Sequence, residues 1–453
     1  MRKKTLCRAT ALGLALLLTL SVTGADNSLG ALVPRFGIDQ QNSRRINDAL
    51  EDTGFPFQKV WATDLGGEVG SQPIVCDGRV YAQAGNKLAR LDLAGRVQAV
   101  SPVLTDSPLP SGSSPTFANT LYGPRIYQAT RDHRLWALDP DTLTPLWTAT
   151  GGYLTISAGG SPEARYRVTT SPLVINDGGD TLIALGTANG DQTGLSGQYA
   201  DNGFFILRDT GADCEVIYCR QGAGEVTGSP ILMGDLIIGT QNILGGEDEE
   251  ENLLICYDLR MREEVERSPR VSQAIPGSPA AQGNRLYLAD RQGRVYCYEK
   301  TAAGDLERQW TAAPPGGGHY NLNSPAIGNR YVYLPLRQYQ GGNGMLLAIN
   351  KETGAVEKTL AFGSVLCSNI LFWQPAGARQ EFLLVYEASG RTQLLDGETL
   401  EPVSGFMDEA GAIHRDIMLP SAVTGLKAPE PLIGENYMLL VDGDGTMHAY
   451  IGR

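Results

Sequence analysis

The sequence predicts an all-β fold, an eight-bladed β-propeller built from four-stranded antiparallel blades. Three observations predict it. With 55 glycines and 25 prolines among 453 residues, and only 19% charged residues, the chain has the composition of short strands joined by tight turns. A short motif recurs: GSQPIV at Gly70, GSSPTF at Gly112, TTSPLV at Thr169, TGSPIL at Thr227, PGSPAA at Pro276 and LNSPAI at Leu322. Finally, the two ends of the chain each carry part of one unit.

The motif sets the blade count. Its prolines are Pro73, Pro115, Pro172, Pro230, Pro279 and Pro325, and two degenerate copies follow, LCSNIL at Leu366 and LPSAVT at Leu419, with Asn369 and Ala422 in the proline slot. The successive spacings of 42, 57, 58, 49, 46, 44 and 53 residues suit one four-stranded blade per copy. Seven blades is the alternative, if the copy near Cys367 is not a blade.

Within a unit the order of elements is clearest in the second copy. GSSPTF opens the innermost strand, RIYQAT at Arg125 reads as the second, RDHRLWALD from Arg131 as the third and PDTLTPLWTAT as the outer one. Serine and proline fit the start of an inner strand, whose free edge lines the channel and needs no ladder donor there. Glycine and serine suit the crowding of blades near the axis. The last copy is followed by ENYMLLVDGDGTMHAYIGR, which supplies a second and a third strand but no fourth. QKVWATDL, from Gln58 to Leu65, is the missing outer strand, so pairing it with the C-terminal strands closes the ring. Asp442, Asp444 and Gly445 in VDGDGTMHAY read as a hairpin turn.

Residues 1–25 have the layout of a signal peptide: Arg2, Lys3, Lys4 and Arg8, then an apolar run from Ala11 to Val22, then small residues. That run falls short of the roughly 20 apolar residues a spanning helix needs, so cleavage and a mature chain without a membrane span are expected. Residues 26–57 read as a linker or short docking segment, and 58–453 as the propeller. Removing residues 1–25 takes away four basic side chains and moves the net charge from −13 to −17, which argues against a nucleic-acid partner. Six cysteines remain, Cys76, Cys214, Cys219, Cys256, Cys297 and Cys367. Export permits disulfides, but these residues are scattered through strands, and on one regular strand Cys214 and Cys219 would face opposite ways.

The segment ALDPDTLTPLW at Ala137 resembles the repeat of pyrroloquinoline quinone (PQQ) propellers, Ala-x-Asp-x-x-Thr-Gly ending in a tryptophan that docks between blades. Leu143 replaces the glycine here. AINKETGAVEK at Ala348 keeps Thr-Gly, while VWATDL at Val60 and QWTAAP at Gln309 keep the tryptophan. The resemblance covers roughly residues 58–453 and implies the fold. For the dehydrogenases among these propellers it also implies a quinone held over the channel with calcium, a catalytic aspartate and an adjacent cysteine pair. This chain has neither a Cys-Cys pair nor a Cys-x-x-Cys-His haem segment, so no cofactor is expected; PQQ with calcium is the alternative. Similar propellers include an outer-membrane assembly lipoprotein that scaffolds barrel insertion. Here Cys7 precedes the apolar run, and no lipid-attachment cysteine follows it.

Other chemistry finds no constellation. The four histidines, His133, His319, His414 and His448, make no close ligand pair, and no Gly-x-Ser-x-Gly elbow occurs. The acidic run from Glu247 to Glu251 reads as a solvated loop tip. Long insertions at residues 149–167, 186–203, 241–252 and from Leu336 fall in connections that an up-and-down blade places on one face. Tyr153, Tyr166, Tyr199, Tyr320 and Tyr339 lie in such connections and form the candidate partner-binding face. The leading expectation is an exported, monomeric, non-catalytic scaffold that binds a protein or cell-surface carbohydrate through that face. The competing one is a PQQ- and calcium-dependent oxidoreductase or another propeller enzyme.

Overall fold

A computed structural model describes residues 31–33, 35–37, 39–47, 56–108, 110–149, 151–155, 166–168, 170–189, 202–221, 224–242, 252–265, 269–271, 273–338, 342–375, 378–423, 429–434 and 437–452. Eight antiparallel blades form a ring, with no helix among the described residues. The inner strands are Ile74–Cys76, Thr116–Thr120, Leu173–Asp177, Ile231–Met233, Ala280–Gln282, Ala326–Ile327, Leu371–Gln374 and Leu432–Gly434. The matching outer strands are Val97–Val100, Tyr153–Thr155, Cys214–Gln221, Glu263–Glu264, Leu306–Ala312, Val356–Phe362, Asp416–Met418 and Phe57–Asp64. The outer strand of blade 8 therefore comes from the other end of the chain. Lys59 pairs with Tyr450 and Trp61 with Ala449, the closure the sequence predicts.

Each inner blade face is apolar for its own reason. In blade 6, Val332, Leu334 and Leu336 pack with Tyr287 and Val295 of blade 5. The alternate residues Tyr331 and Tyr333 pack with Phe372, Leu383 and Val385 of blade 7. Both faces of the sheet are covered by neighbours, so its second and third strands read as nearly unbroken apolar runs. Only outer strands, with one edge in solvent, alternate cleanly, as Val356–Phe362 does.

The Ser-Pro motif builds a chain of hydrogen bonds around the axis from blade 2 to blade 8. The backbone N–H of Ser114 donates to Ser171 Oγ at 2.9 Å, Ser171 to Ser229 Oγ at 2.9 Å, Ser229 to Ser278 Oγ at 2.8 Å and Ser278 to Ser324 Oγ at 2.8 Å. Ser324 N–H then donates to Asn369 Oδ1 at 2.6 Å. Asn369 thus holds the serine slot and Ile370 the proline slot, one residue away from the expected alignment. The longer amide reaches where a serine hydroxyl would sit. The eighth copy is corrected too: Glu430 and Pro431 open the inner strand Leu432–Gly434, and Asn369 Nδ2 donates to Glu430. The expected LPSAVT copy lies after the outer strand of blade 7, where Leu419 N–H donates to Gly390 O at 3.0 Å and Val423 N–H to Ala388 O at 2.9 Å. Axial crowding is direct. A Cβ on Gly277 would stand 2.3 Å from Asn323 O, and one on Gly228 2.5 Å from Gly277 O.

Tryptophans dock between blades as the repeat implies. Trp61 Nε1 donates to Leu93 O of blade 1 at 2.8 Å, and Trp310 Nε1 to Lys351 O of blade 6 at 3.1 Å. Each ring lies against a glycine with left-handed backbone, Gly95 (φ 79°) and Gly354 (φ 74°). Where the outer strand offers Ala99 at the tryptophan's place, the next blade puts Leu143 (φ 57°) in the glycine slot, and Leu143 fills the gap in the cluster that Ala99 borders. Trp147 does not lie on an outer strand as expected. Pro145 makes a single bridge to Leu138, and Tyr153–Thr155 forms the edge instead. Trp147 is wholly buried, donating from Nε1 to Asp209 Oδ1 of blade 3 at 3.2 Å.

The outer strand of blade 3 carries a bulge between its pairs Ile206–Tyr218 and Leu207–Val216. It puts Cys214 and Cys219 on one face, opposite Asp209 and Phe205, rather than on opposite faces. All six cysteines are free thiols. Burial pushes the Cys219 thiol up to about 11, so it stays protonated at neutral pH.

Candidate functional site: the axial channel and the insertion-bearing face

The channel is filled by the chain itself. Residues 31–33, 35–37 and 39–47 run as a strap along the axis. Ala31–Val33 runs antiparallel to the inner strand of blade 1, and Arg45–Asn47 runs parallel to that of blade 7. Between them the chain reverses in a turn closed by Arg44 N–H to Gly37 O at 3.2 Å. Asp39 organises that turn: its Oδ1 accepts from the N–H groups of Gln41 and Ser43 at 2.9 and 3.0 Å, and its Oδ2 from Ser43 Oγ at 2.5 Å. Burial nevertheless pushes the Asp39 carboxyl up from its ordinary value.

The inner edges are therefore not idle, as the sequence reading had them. Leu232, Ala281, Ile327 and Phe372, one residue per blade from blades 4 to 7, donate their N–H groups to the carbonyls of Gln40, Gln41, Ser43 and Arg44 at 2.8 to 3.1 Å. Proline at the slot two residues earlier lacks an N–H, so it costs this ladder nothing. Side chains extend the contact: Arg35 Nη2 donates to Pro230 O at 3.2 Å, Asn42 Nδ2 to Ser229 O at 3.3 Å and Gln40 Nε2 to Val174 O at 3.0 Å. Arg44 is 1% exposed, lies 4.8 Å over the Phe36 ring, and pairs with Glu430 at 3.7 Å. Burial lowers its pKa, which Glu430 opposes.

Among the described residues the strap presents buried Arg35, Asn42 and Arg44 at the axis, hydrogen-bond donors that suit carbonyl and carboxylate acceptors rather than a calcium ion. Among the described residues no group of three or more His, Cys, Asp or Glu is placed to hold a metal. The Asp442 turn is the predicted hairpin, its carboxylate accepting from Asp444 and Thr446 N–H and contacting His448 Nε2 at 2.9 Å.

The second candidate region is the set of connections that carry the insertions. Two of them join: Tyr166–Arg167, before blade 3, pairs with Ala188–Asn189, inside blade 3, as a separate two-stranded sheet. Of the five tyrosines, Tyr166 lies in this sheet. Tyr320 lies in the short strand His319–Tyr320, opposite Arg337, with its hydroxyl 3.2 Å from Arg291 Nη2 and its ring 5.4 Å beneath that guanidinium. Tyr153 is instead opposite Trp136 on the outer strand of blade 2, not in a connection. Tyr199, Tyr339 and the acidic run Glu247–Glu251 lie outside the described residues. Sequence reasoning missed Arg35, Arg44, Glu430 and Gln72. The available signal was that Gln72 and Glu430 stand where other copies carry serine.

No curated protein matches the sequence. Among solved structures, the quinohemoprotein alcohol dehydrogenase from Comamonas testosteroni is 13% identical, with a TM-score of 0.65 over 92% of this chain and 80% of its own. BamB from Moraxella catarrhalis is 14% identical, with a TM-score of 0.55 over 87% of this chain and 97% of its own. A europium-containing methanol dehydrogenase is 12% identical, with a TM-score of 0.64 over 93% and 98%. At such identities these likenesses speak for the propeller fold alone. The family model described as outer membrane protein assembly factor BamB matches residues 58–360, from the closing strand of blade 8 into the outer strand of blade 6. The chain belongs to that family of PQQ-like propellers.

Proposed function

We propose that this protein is an exported, non-catalytic scaffold that binds a protein partner through its insertion-bearing face. The observation that carries the reading is the pairing of two separate insertions, Tyr166–Arg167 with Ala188–Asn189, into one extra sheet. A blade needs no such sheet to close, and loops stiffened on a rigid ring suit recognition. Membership of an assembly-factor family supports a protein rather than a carbohydrate as partner. The strap along the axis counts against the alternative, a PQQ- and calcium-dependent oxidoreductase. Export rests on the signal-like residues 1–25, and no described helix is long and apolar enough to cross a membrane.

The test is affinity capture from the cell-envelope fraction with the wild type and with Tyr199→Ala/Tyr339→Ala, alongside titration with PQQ and calcium. A protein retained by the wild type and lost by the variant is the expected result. Stoichiometric quinone binding with dye reduction by alcohols or sugars would reverse it, and retention of glycans alone would move the reading to carbohydrate.

A further inference from the structure

We propose that the axial channel is a peptide-binding site whose ligand is the chain's own residues 35–47, held in cis. The first support is the regularity of the backbone contacts. Four consecutive blades present the same amide, two residues after the proline slot, to Gln40, Gln41, Ser43 and Arg44 carbonyls. Main-chain bonding of this kind gives affinity, and side-chain pockets give selectivity.

The second support is where the repeat is broken. Five blades carry serine before the proline slot, at Ser114, Ser171, Ser229, Ser278 and Ser324. The three that do not are blades 7, 8 and 1, with Asn369, Glu430 and Gln72. Glu430 pairs with Arg44 of the strap. Gln72 Oε1 accepts from Gly37 N–H at 3.1 Å. Asn369 Nδ2 donates to Glu430 and so holds that carboxylate in place. A ring that needed only closure would be served by serine throughout; each departure here touches the strap or orients a group that does.

The third is burial that is mainly polar. The strap residues Arg35, Asn42, Ser43 and Arg44 are buried and meet the ring through hydrogen bonds and one ion pair, with Phe36 the buried apolar side chain among them. That is the character of a recognised peptide, tethered by the short connection from Asn47 to Phe57. Such tethers give effective concentrations on the order of millimolar, so a free peptide cannot compete while the tether is whole.

The experiment uses the full chain with a specific protease site in place of residues 50–55, folded first and then cut. A fluorescein-labelled peptide of residues 31–47 is added at about 10 μM, far below that effective concentration. The cut protein should take up one peptide per chain and release it to unlabelled peptide, while the uncut protein takes up none. A peptide carrying Arg44→Ala should bind at least about tenfold more weakly, as should the cut Glu430→Gln protein with the unchanged peptide. Equal uptake by cut and uncut protein would mean an outer-surface site. Unfolding on cutting would make the strap part of the core, and a folded cut protein that binds no peptide would leave no site. An Arg44→Ala peptide as tight as the original would remove the recognition element. Any of these four results overturns the proposal.

Discussion

Gly354→Ala tests why some blades carry glycine in the corner slot and others do not. The added Cβ would stand 2.7 Å from Trp310 Cδ2, where ordinary contact needs about 3.5 Å or more. Trp310 would have to shift by nearly 1 Å, weakening its 3.1 Å bond to Lys351 O. Three contributions add: about 1–2 kcal/mol for an L-residue at φ 74°, about 1–3 kcal/mol for overpacking and about 1 kcal/mol for the hydrogen bond. The expected loss is about 3–6 kcal/mol. In a Trp310→Ala background only the backbone contribution remains, so the same substitution should then cost about 1–2 kcal/mol. Equilibrium urea denaturation of the four proteins, followed by far-UV circular dichroism, gives the coupling directly. Equal costs in both backgrounds would show that backbone conformation, not the tryptophan, selects glycine. Leu143 at φ 57° and Leu400 at φ 64° already show that an L-residue can hold this backbone where no tryptophan faces it.

The same socket should run in reverse: Ala99→Trp is expected to destabilise alone and to be largely rescued by Leu143→Gly, read as the change in Tm. Gly277→Ala should lower stability by at least about 3 kcal/mol, because the atom met at 2.3 Å is a backbone carbonyl that no rotamer moves; a near-neutral result would remove crowding as the reason for the motif. Asp209 accepts from Trp147 Nε1, Tyr127 OH and Gly211 N–H and pairs with buried Arg125 at 3.0 Å. Asp209→Ala strands that guanidinium and should cost about 3–5 kcal/mol in urea denaturation. The hydrogen bond from Lys300 holds Asp235 below its ordinary 3.8. Its stabilising contribution is therefore present above pH 3.8 and lost as pH falls through the folded value, so Asp235→Asn should flatten the acid limb of Tm against pH.

What was legible depended on whether an element's energy comes from side chains or from backbone. Ring closure could be read because Gln58–Leu65 alternates and stands before the first motif copy, outside any complete unit, and the docking tryptophans could be read because burying an indole requires a visible residue in a fixed place. The misplaced seventh and eighth copies failed at the chemistry of one slot. Asn369 and Glu430 supply an oxygen acceptor as serine does, but from a longer side chain, so matching by residue type shifted one copy by a residue and moved the other from Pro431 to Ala422. The outer strand of blade 2 was assigned too early because Pro145 and Trp147 alternate like a strand while forming a corner.

The strap could not be read as an element at all, since PRFGIDQQNSRR has neither period and its carbonyls, invisible in residue type, make the ladder with blades 4 to 7. Its trace in the sequence lies in its receptor. A repeat fixes what each slot needs for the ring alone, so a slot that departs from it must answer to something outside the ring. Serine gives way to glutamine, asparagine and glutamate only in the contiguous blades 1, 7 and 8, where Gly37 and Arg44 are met. Contiguity matters: random drift would scatter such changes among the eight units, whereas here they gather where slot side chains reach Gly37 and Arg44, while blades 4 to 7 meet the strap through backbone amides.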